Sequence, residues 1–279
     1  MRPLAHAAGR GRRPVIRHEL GYSLIELMVA ILIAMFLIGG VLIVEQGVHQ
    51  SHSDNSALAQ IDDEERFTLT LLSELVRQGG YYPDPTAINQ DTALPQQDVT
   101  ASNGDQLNFG ARDAVYGVSV AGAGGSTTPG LTTDSLAVRY MTASNDGIPL
   151  CDGTSNQTGS DQIYINYLYV PSSGGLYCEV GMASPGNPTQ ISWDASGPIK
   201  LVEDVEAMQI WYGLSSSTSG SDNNVVEYVP AASMTAADWA SVTSVKLLLT
   251  FSNPLAAEPG QSKVLLFTLV ADLMGRTGP

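Results

Sequence analysis

The chain has 279 residues, with 13 Lys plus Arg against 28 Asp plus Glu, a formal net charge of −15 and two cysteines. That acidity disfavours nucleic-acid backbones as partners. All four histidines, His6, His18, His49 and His52, precede residue 53, so the rest has none for a catalytic triad or a zinc site, and no Gly-x-Ser-x-Gly, Walker or dinucleotide fingerprint occurs. No enzyme is expected, and no cofactor.

The first element, residues 1–21, carries Arg2, Arg10, Arg12, Arg13 and Arg17 against Glu19 and no periodic apolar pattern. It reads as a basic leader outside the mature fold. Without it the chain keeps eight cations and 27 acids, a charge of −19.

Tyr22 to Val44 is almost continuously apolar. As a helix at ~1.5 Å per residue it covers about 35 Å, enough for a hydrocarbon core of ~30 Å. Arginines ahead of it hold the N-terminus in the cytoplasm and send the remainder outward. No Ala-x-Ala-like site follows it, so cleavage after the run is not expected. Glu26 lies inside the run, and a carboxylate in such a segment costs ~2.5 to 3.5 kcal/mol at the bilayer centre, so it is normally there for a reason.

From Glu45 the composition turns polar without a helix breaker, and then Leu58, Ile61, Leu69, Leu72 and Val76 recur at helical spacing, widened by Leu71 and Leu75. The pattern predicts one helix, half membrane-spanning (22–44) and half amphipathic (45–80), capped by Gly79-Gly80 and stopped by Pro83.

Residues 81–279 predict a β-rich head. Strands are expected at 106–109, 115–120, 136–140, 162–170, 176–180, 207–212, 242–251 and 263–270, with loops at 121–130, 145–160, 181–188 and 215–224. The expected fold class is α+β, a long N-terminal helix packed on an antiparallel sheet. One domain is preferred to two, although the insertion 110–197 could form a lobe.

Cys151 and Cys178 fall on the outward side, in an oxidising compartment, and are expected to pair. Asp152, Asp161, Asp222 and Glu227 could offer oxygens to calcium, but Asp152 to Asn156 lacks the central Gly and terminal Glu of an EF-hand loop. No metal is expected. Aromatics such as Tyr167 and Tyr169 alternate as packing residues on one strand face.

Gly21 followed by Tyr-Ser-Leu-Ile-Glu-Leu-Met-Val-Ala resembles the class III signal of type IV prepilins, with Tyr22 where Phe is usual and Ser23 where Thr is usual. The resemblance implies cleavage between Gly21 and Tyr22 by a membrane prepilin peptidase, methylation of the new N-terminus, and an assembly role for Glu26. Glu64-Glu65-Arg66-Phe67, then Leu71 to Tyr81, Asp134 to Tyr140, Leu201 to Glu206, Gln209 to Tyr212 and Asp238-Trp239 before Val242 to Leu249 are similar to PilW-type minor pilins in order.

That resemblance implies an inner-membrane, single-pass protein with a periplasmic head, later part of a surface pilus. Its partners would be other minor pilins, the major pilin, the prepilin peptidase and, before assembly, inner-membrane lipid. Pilus initiation is the expected role, with the stripe Leu58, Ile61, Leu69, Leu72 and Val76 as packing surface. Alternatives are a minor pseudopilin of a type II secretion system, which shares leader, helix and sheet, and a tip-exposed adhesin using the long loops and aromatics.

Overall fold

The computed structural model describes residues 23–120, 133–216 and 224–274. Helix α1 runs Leu24–Arg77 without interruption, because the stretch contains no proline and Gly39, Gly40 and Gly47 each cost only ~1 kcal/mol relative to Ala. It ends at a glycine pair with two distinct roles. Gly80 takes a φ of 80°, the left-handed region where glycine is at home, and donates its N–H to the Arg139 carbonyl at 2.9 Å. A Cβ on Gly79 would lie 2.8 Å from Leu273 Cδ2 and 3.3 Å from Val138 Cγ1, so any side chain there would collide with the core beneath the helix end.

The chain divides into two compact units, one ending at Asn55 and the other beginning at Ser56. In the first, α1 is apolar on every side from Leu27 to Val44, and its most hydrophobic 18-residue window has a mean hydropathy of 3.1 with none of it buried. A helix greasy all round needs lipid or other helices to cover it.

The second unit holds the last turns of α1 and three antiparallel sheets. A hairpin pairs β1 (Gln97–Thr100) with β2 (Gln106–Phe109). The larger sheet has the order β3 (Val115–Val120), β4 (Thr133–Thr142), β5 (Gln162–Tyr169), β6 (Leu176–Ser184) and β7 (Asn187–Trp193), with β8 (Ile199–Val202) also on β6. A four-stranded sheet has the order β10 (Val225–Pro230), β9 (Val205–Ser215), β11 (Val242–Ser252) and β12 (Val264–Asp272).

One core serves both larger sheets. Leu72, Leu75 and Val76 of α1 cluster with Val115, Leu136 and Val138 of the one and Val245, Leu247 and Leu249 of the other. The sheets are also tied by hydrogen bonds. The N–H of Met208 donates to Thr133 Oγ1 at 3.3 Å and that of Ile210 to Asp134 Oδ2 at 2.8 Å, occupying strand donors in the part of β9 that β10, which reaches only residues 211–215, leaves open. The opposite face of the larger sheet is sealed by the hairpin, where Val99, Leu107 and Phe109 meet Ala137, Ile165 and Tyr167. Covered on both sides, β4 is buried along its whole length.

Two sequence expectations change here. The segment 181–188 is not a loop: β6 continues to Ser184 and β7 begins at Asn187, so Pro185 and Gly186 form the turn of a hairpin. The strands β1, β7, β8 and β10 are not anticipated from the sequence, being short or carrying a proline that suits edge positions. The expected loops at 121–130 and 215–224 fall largely on residues outside those described. The would-be lobe is a separate sheet, but it shares the common core and lies within the second unit.

Candidate assembly site on the N-terminal helix

Gly21 and Tyr22, the expected processing residues, lie outside the described residues. The first described turn is held by the Ser23 carbonyl, which accepts from the N–H of Glu26 at 3.0 Å and of Leu27 at 3.1 Å. Glu26 is therefore in the opening turn, where the helix N-terminus favours negative charge, and it is exposed with no ion-pair partner among the described residues. Around it stand Leu24 (75% exposed), Ile25 (69%) and Met28 (60%). Lower down, Phe36, Leu37, Gly40, Val41 and Val44 line a shallow apolar groove beside Glu45. Once such a segment is buried in lipid or protein, a lone carboxylate is costly unless a positive charge is supplied.

The amphipathic stripe is divided in its use. Ile61, Leu72 and Val76 are buried, and Leu69 is half-buried against the core. Leu58 is exposed, as is Phe67 at 57%. Leu72 and Val76 are fully covered by the chain's own sheets, which leaves Leu58 and Phe67 as the open apolar side chains of this part of the helix. Phe67 was legible as an apolar residue off the main stripe.

In the head, Cys151 and Cys178 form a disulfide, with Cα atoms 6.4 Å apart and a sequence separation of 27. It joins the turn after β4 to β6. Asp152 accepts from the N–H and hydroxyl of Thr154 at 2.8 and 2.7 Å, which makes it a turn residue. Among the described residues no group of three or more His, Cys, Asp or Glu is placed to hold a metal ion, and Asp222 lies outside them.

The most polar interior feature is Arg139, with no exposed surface. Its Nε donates to the Asp113 carbonyl at 3.0 Å, Nη1 to that of Pro95 at 2.6 Å, and Nη2 to those of Gly110 and Asp113 at 2.9 and 2.8 Å. The guanidinium also sits 4.5 Å above the Phe109 ring. Burial pushes its pKa down to about 9, with Asp113 opposing, so it stays charged at neutral pH and fastens residues 95–113 to the sheet.

Nearby, the Tyr167 hydroxyl bonds the Asp105 carboxylate, and Asn103 Nδ2 donates to that hydroxyl at 2.8 Å. Burial and the Asp105 charge raise the Tyr167 pKa. Tyr167 and Tyr169 stack at 5.3 Å, with Trp193 edge-on to Tyr167 at 6.4 Å. A cavity of about 250 Å³ is lined by Asn103, Asp105, Thr133, Asp134, Ser135 and Tyr169, among others. Burial raises the Asp134 pKa, and hydrogen bonds from Ile210 and Ser119 oppose the rise. These groups satisfy one another, as interior polar residues must.

Two family matches coincide with these features. Residues 16–42 match the prokaryotic N-terminal methylation motif, covering the end of the leader and the apolar helix. Residues 172–277 match the family Type IV Pilus-assembly protein W, covering β6 to β12. No curated protein and no solved structure matches the chain. With a methylation motif on the uncovered helix and the pilus-assembly match across the disulfide-bearing β6 and the four-stranded sheet, the two matches support a type IV minor pilin of the PilW type.

Proposed function

We propose that the chain is a non-enzymatic subunit that enters a type IV pilus through α1 and helps to prime its assembly, one or a few copies sitting at or near the tip. The observation that carries this is the uncovered apolar helix with a single carboxylate in its first turn. On this reading a prepilin peptidase cuts between Gly21 and Tyr22, and the helix anchors the subunit in the inner membrane with the head in the periplasm. Glu26 then pairs with the N-terminal amine of a neighbouring subunit, an attraction strengthened in low dielectric that fixes the axial register. The match to a pilus-assembly family favours a pilus over a secretion pseudopilus.

Copy number follows from charge. Of the −19 carried from residue 22 onward, residues 81–279 hold 19 acids and six cations, a head of −13, and such heads repel where they touch, because screening over ~8 Å leaves contact repulsion largely intact. A few copies beside less acidic partners are easier to accommodate than a shaft of identical ones.

The test is Glu26→Ala in piliating cells. The variant should still be processed, its mass matching a chain that starts at Tyr22, but it should be recruited poorly and give fewer pili of normal thickness. Normal pilus number with this variant would sink the pairing role. Immunogold labelling along the whole shaft would overturn the tip placement.

A further inference from the structure

The edges of the four-stranded sheet are treated differently. On one side, β10 carries Glu227, ends in Pro230 and has a register shift between Val225 and Glu227, devices that discourage strand addition. On the other, β12 reads Val-Leu-Leu-Phe-Thr-Leu-Val-Ala-Asp and pairs with β11 over nine residues with no bulge. From Val264 to Ala271 it has no charge and no proline.

The register shows which of its backbone groups are unused. The Asn253 N–H donates to the Lys263 carbonyl and the Leu273 N–H to the Thr243 carbonyl, so odd-numbered residues of β12 exchange bonds with β11 and even-numbered ones point away. At Val264 the outward groups are occupied, since the Ser262 hydroxyl donates to its carbonyl at 2.8 Å and accepts from its N–H at 3.3 Å. Leu266, Thr268 and Val270 have no such partner among the described residues. Leu266 and Val270 are also 59% and 52% exposed.

Charge is the second observation. Of the cations described from residue 56 onward, Arg112 and Lys200 are in ion pairs and Arg139 is buried. Of the other four, three border β12. Arg77 lines a surface pocket with Val270 to Met274, Lys246 pairs in register with Val270, and Lys263 immediately precedes the strand. Arg66 is the fourth, on α1. In a head this acidic, the open edge is where positive charge gathers.

We infer that the free edge of β12 is a docking site for an extended strand with acidic flanks, contributed by a different subunit of the pilus. The occupant adds a fifth strand through the outward groups of Leu266, Thr268 and Val270, and its acids meet Arg77, Lys246 and Lys263. A second copy of this chain is disfavoured by two heads of −13 meeting. The inference rests on the pilin reading above.

The test is photo-crosslinking of the full-length chain in piliating cells, with p-benzoylphenylalanine replacing Leu266, Glu227 on the guarded edge, or Leu37 on α1. Leu266 should give an adduct with another subunit, traced by mass spectrometry to a peptide rich in Asp or Glu, and Glu227 should give none. Thr268→Pro removes an outward N–H and leaves the β11 ladder whole, so it should abolish the adduct. If that variant lacks its disulfide and does not fold, Val270→Pro, which removes the next outward N–H and also spares the β11 ladder, should do likewise. Lys246→Glu with Lys263→Glu should lower the yield about fivefold or more, with Leu37 adducts unchanged.

Adducts at Leu37 but none at Leu266 would overturn the inference and leave the pilin reading standing. So would equal yields at Leu266 and Glu227, an adduct of this chain with itself, a captured peptide without acids, or indifference to the Thr268 and lysine changes. Loss of adducts at both Leu37 and Leu266 would overturn the pilin reading and the inference with it.

Discussion

Replacing Arg139 by methionine keeps much of the side-chain volume and removes every donor. Three carbonyls, those of Pro95, Gly110 and Asp113, then lose four hydrogen bonds. An unsatisfied buried acceptor costs about 1 to 3 kcal/mol. Asp113 is buried, whereas Pro95 and Gly110 are half-buried, so the gross loss is about 4 to 6 kcal/mol. Against this stands relief of the cation's own desolvation, several kcal/mol in a site this dry, which is the cause of its lowered pKa. The net expectation is a destabilisation of about 3 kcal/mol, and lysine, a point charge that cannot span three carbonyls, should recover part of it. Urea unfolding of the full chain in detergent, followed by tryptophan fluorescence, measures the loss. Hydrogen exchange should rise first at 95–113, the segment Arg139 holds. An Arg139→Met variant within about 0.5 kcal/mol of wild type, or faster exchange spread evenly over the head, would show that Arg139 does not fasten this segment.

Reducing Cys151–Cys178 should destabilise the head by about 3.5 kcal/mol in the chain-entropy account, read as a lower urea midpoint with dithiothreitol; an unchanged midpoint would show the bridge to be dispensable. The buried Tyr212 hydroxyl finds no hydrogen-bond partner among the described residues, so Tyr212→Phe should be neutral or stabilising, whereas Tyr167→Phe, which breaks bonds to Asp105 and Asn103, should cost about 1 to 2 kcal/mol. Gly117→Ala should be severely destabilising, since its Cβ would collide with the buried Tyr212 hydroxyl; a tolerated substitution would mean that the ring can move aside. Asp134 gives a pH dependence. Its folded pKa is raised by burial, so its ionisation penalises the fold, absent below the unfolded carboxylate pKa and growing as pH rises through the folded one. Asp134→Asn should therefore gain stability relative to wild type as pH rises above about 4, where an unfolded aspartate ionises, and a constant difference would sink the assignment.

Features that depend on local pattern were legible in the amino-acid order. An unbroken apolar run without proline can only be one long helix, and α1 follows it from Leu24 through the amphipathic stripe to Gly79-Gly80. Alternating apolar residues placed the long strands β4, β5, β9, β11 and β12 to within a few residues. Glu26 was legible as a lone carboxylate in apolar surroundings, and the cysteine pair followed from compartment and number. What remained hidden depends on neighbours distant in the chain. The polar strands β1 and β7, and the short proline-ended β10, are strands because a partner accepts their backbone, and composition does not record that. Arg139 looks like any strand residue until Pro95, Gly110 and Asp113 converge on it, and the stripe residues Leu72 and Val76 look free until their own sheets cover them. Whether an edge such as β12 is closed or open is decided by pairing, which exists only once the sheet has formed.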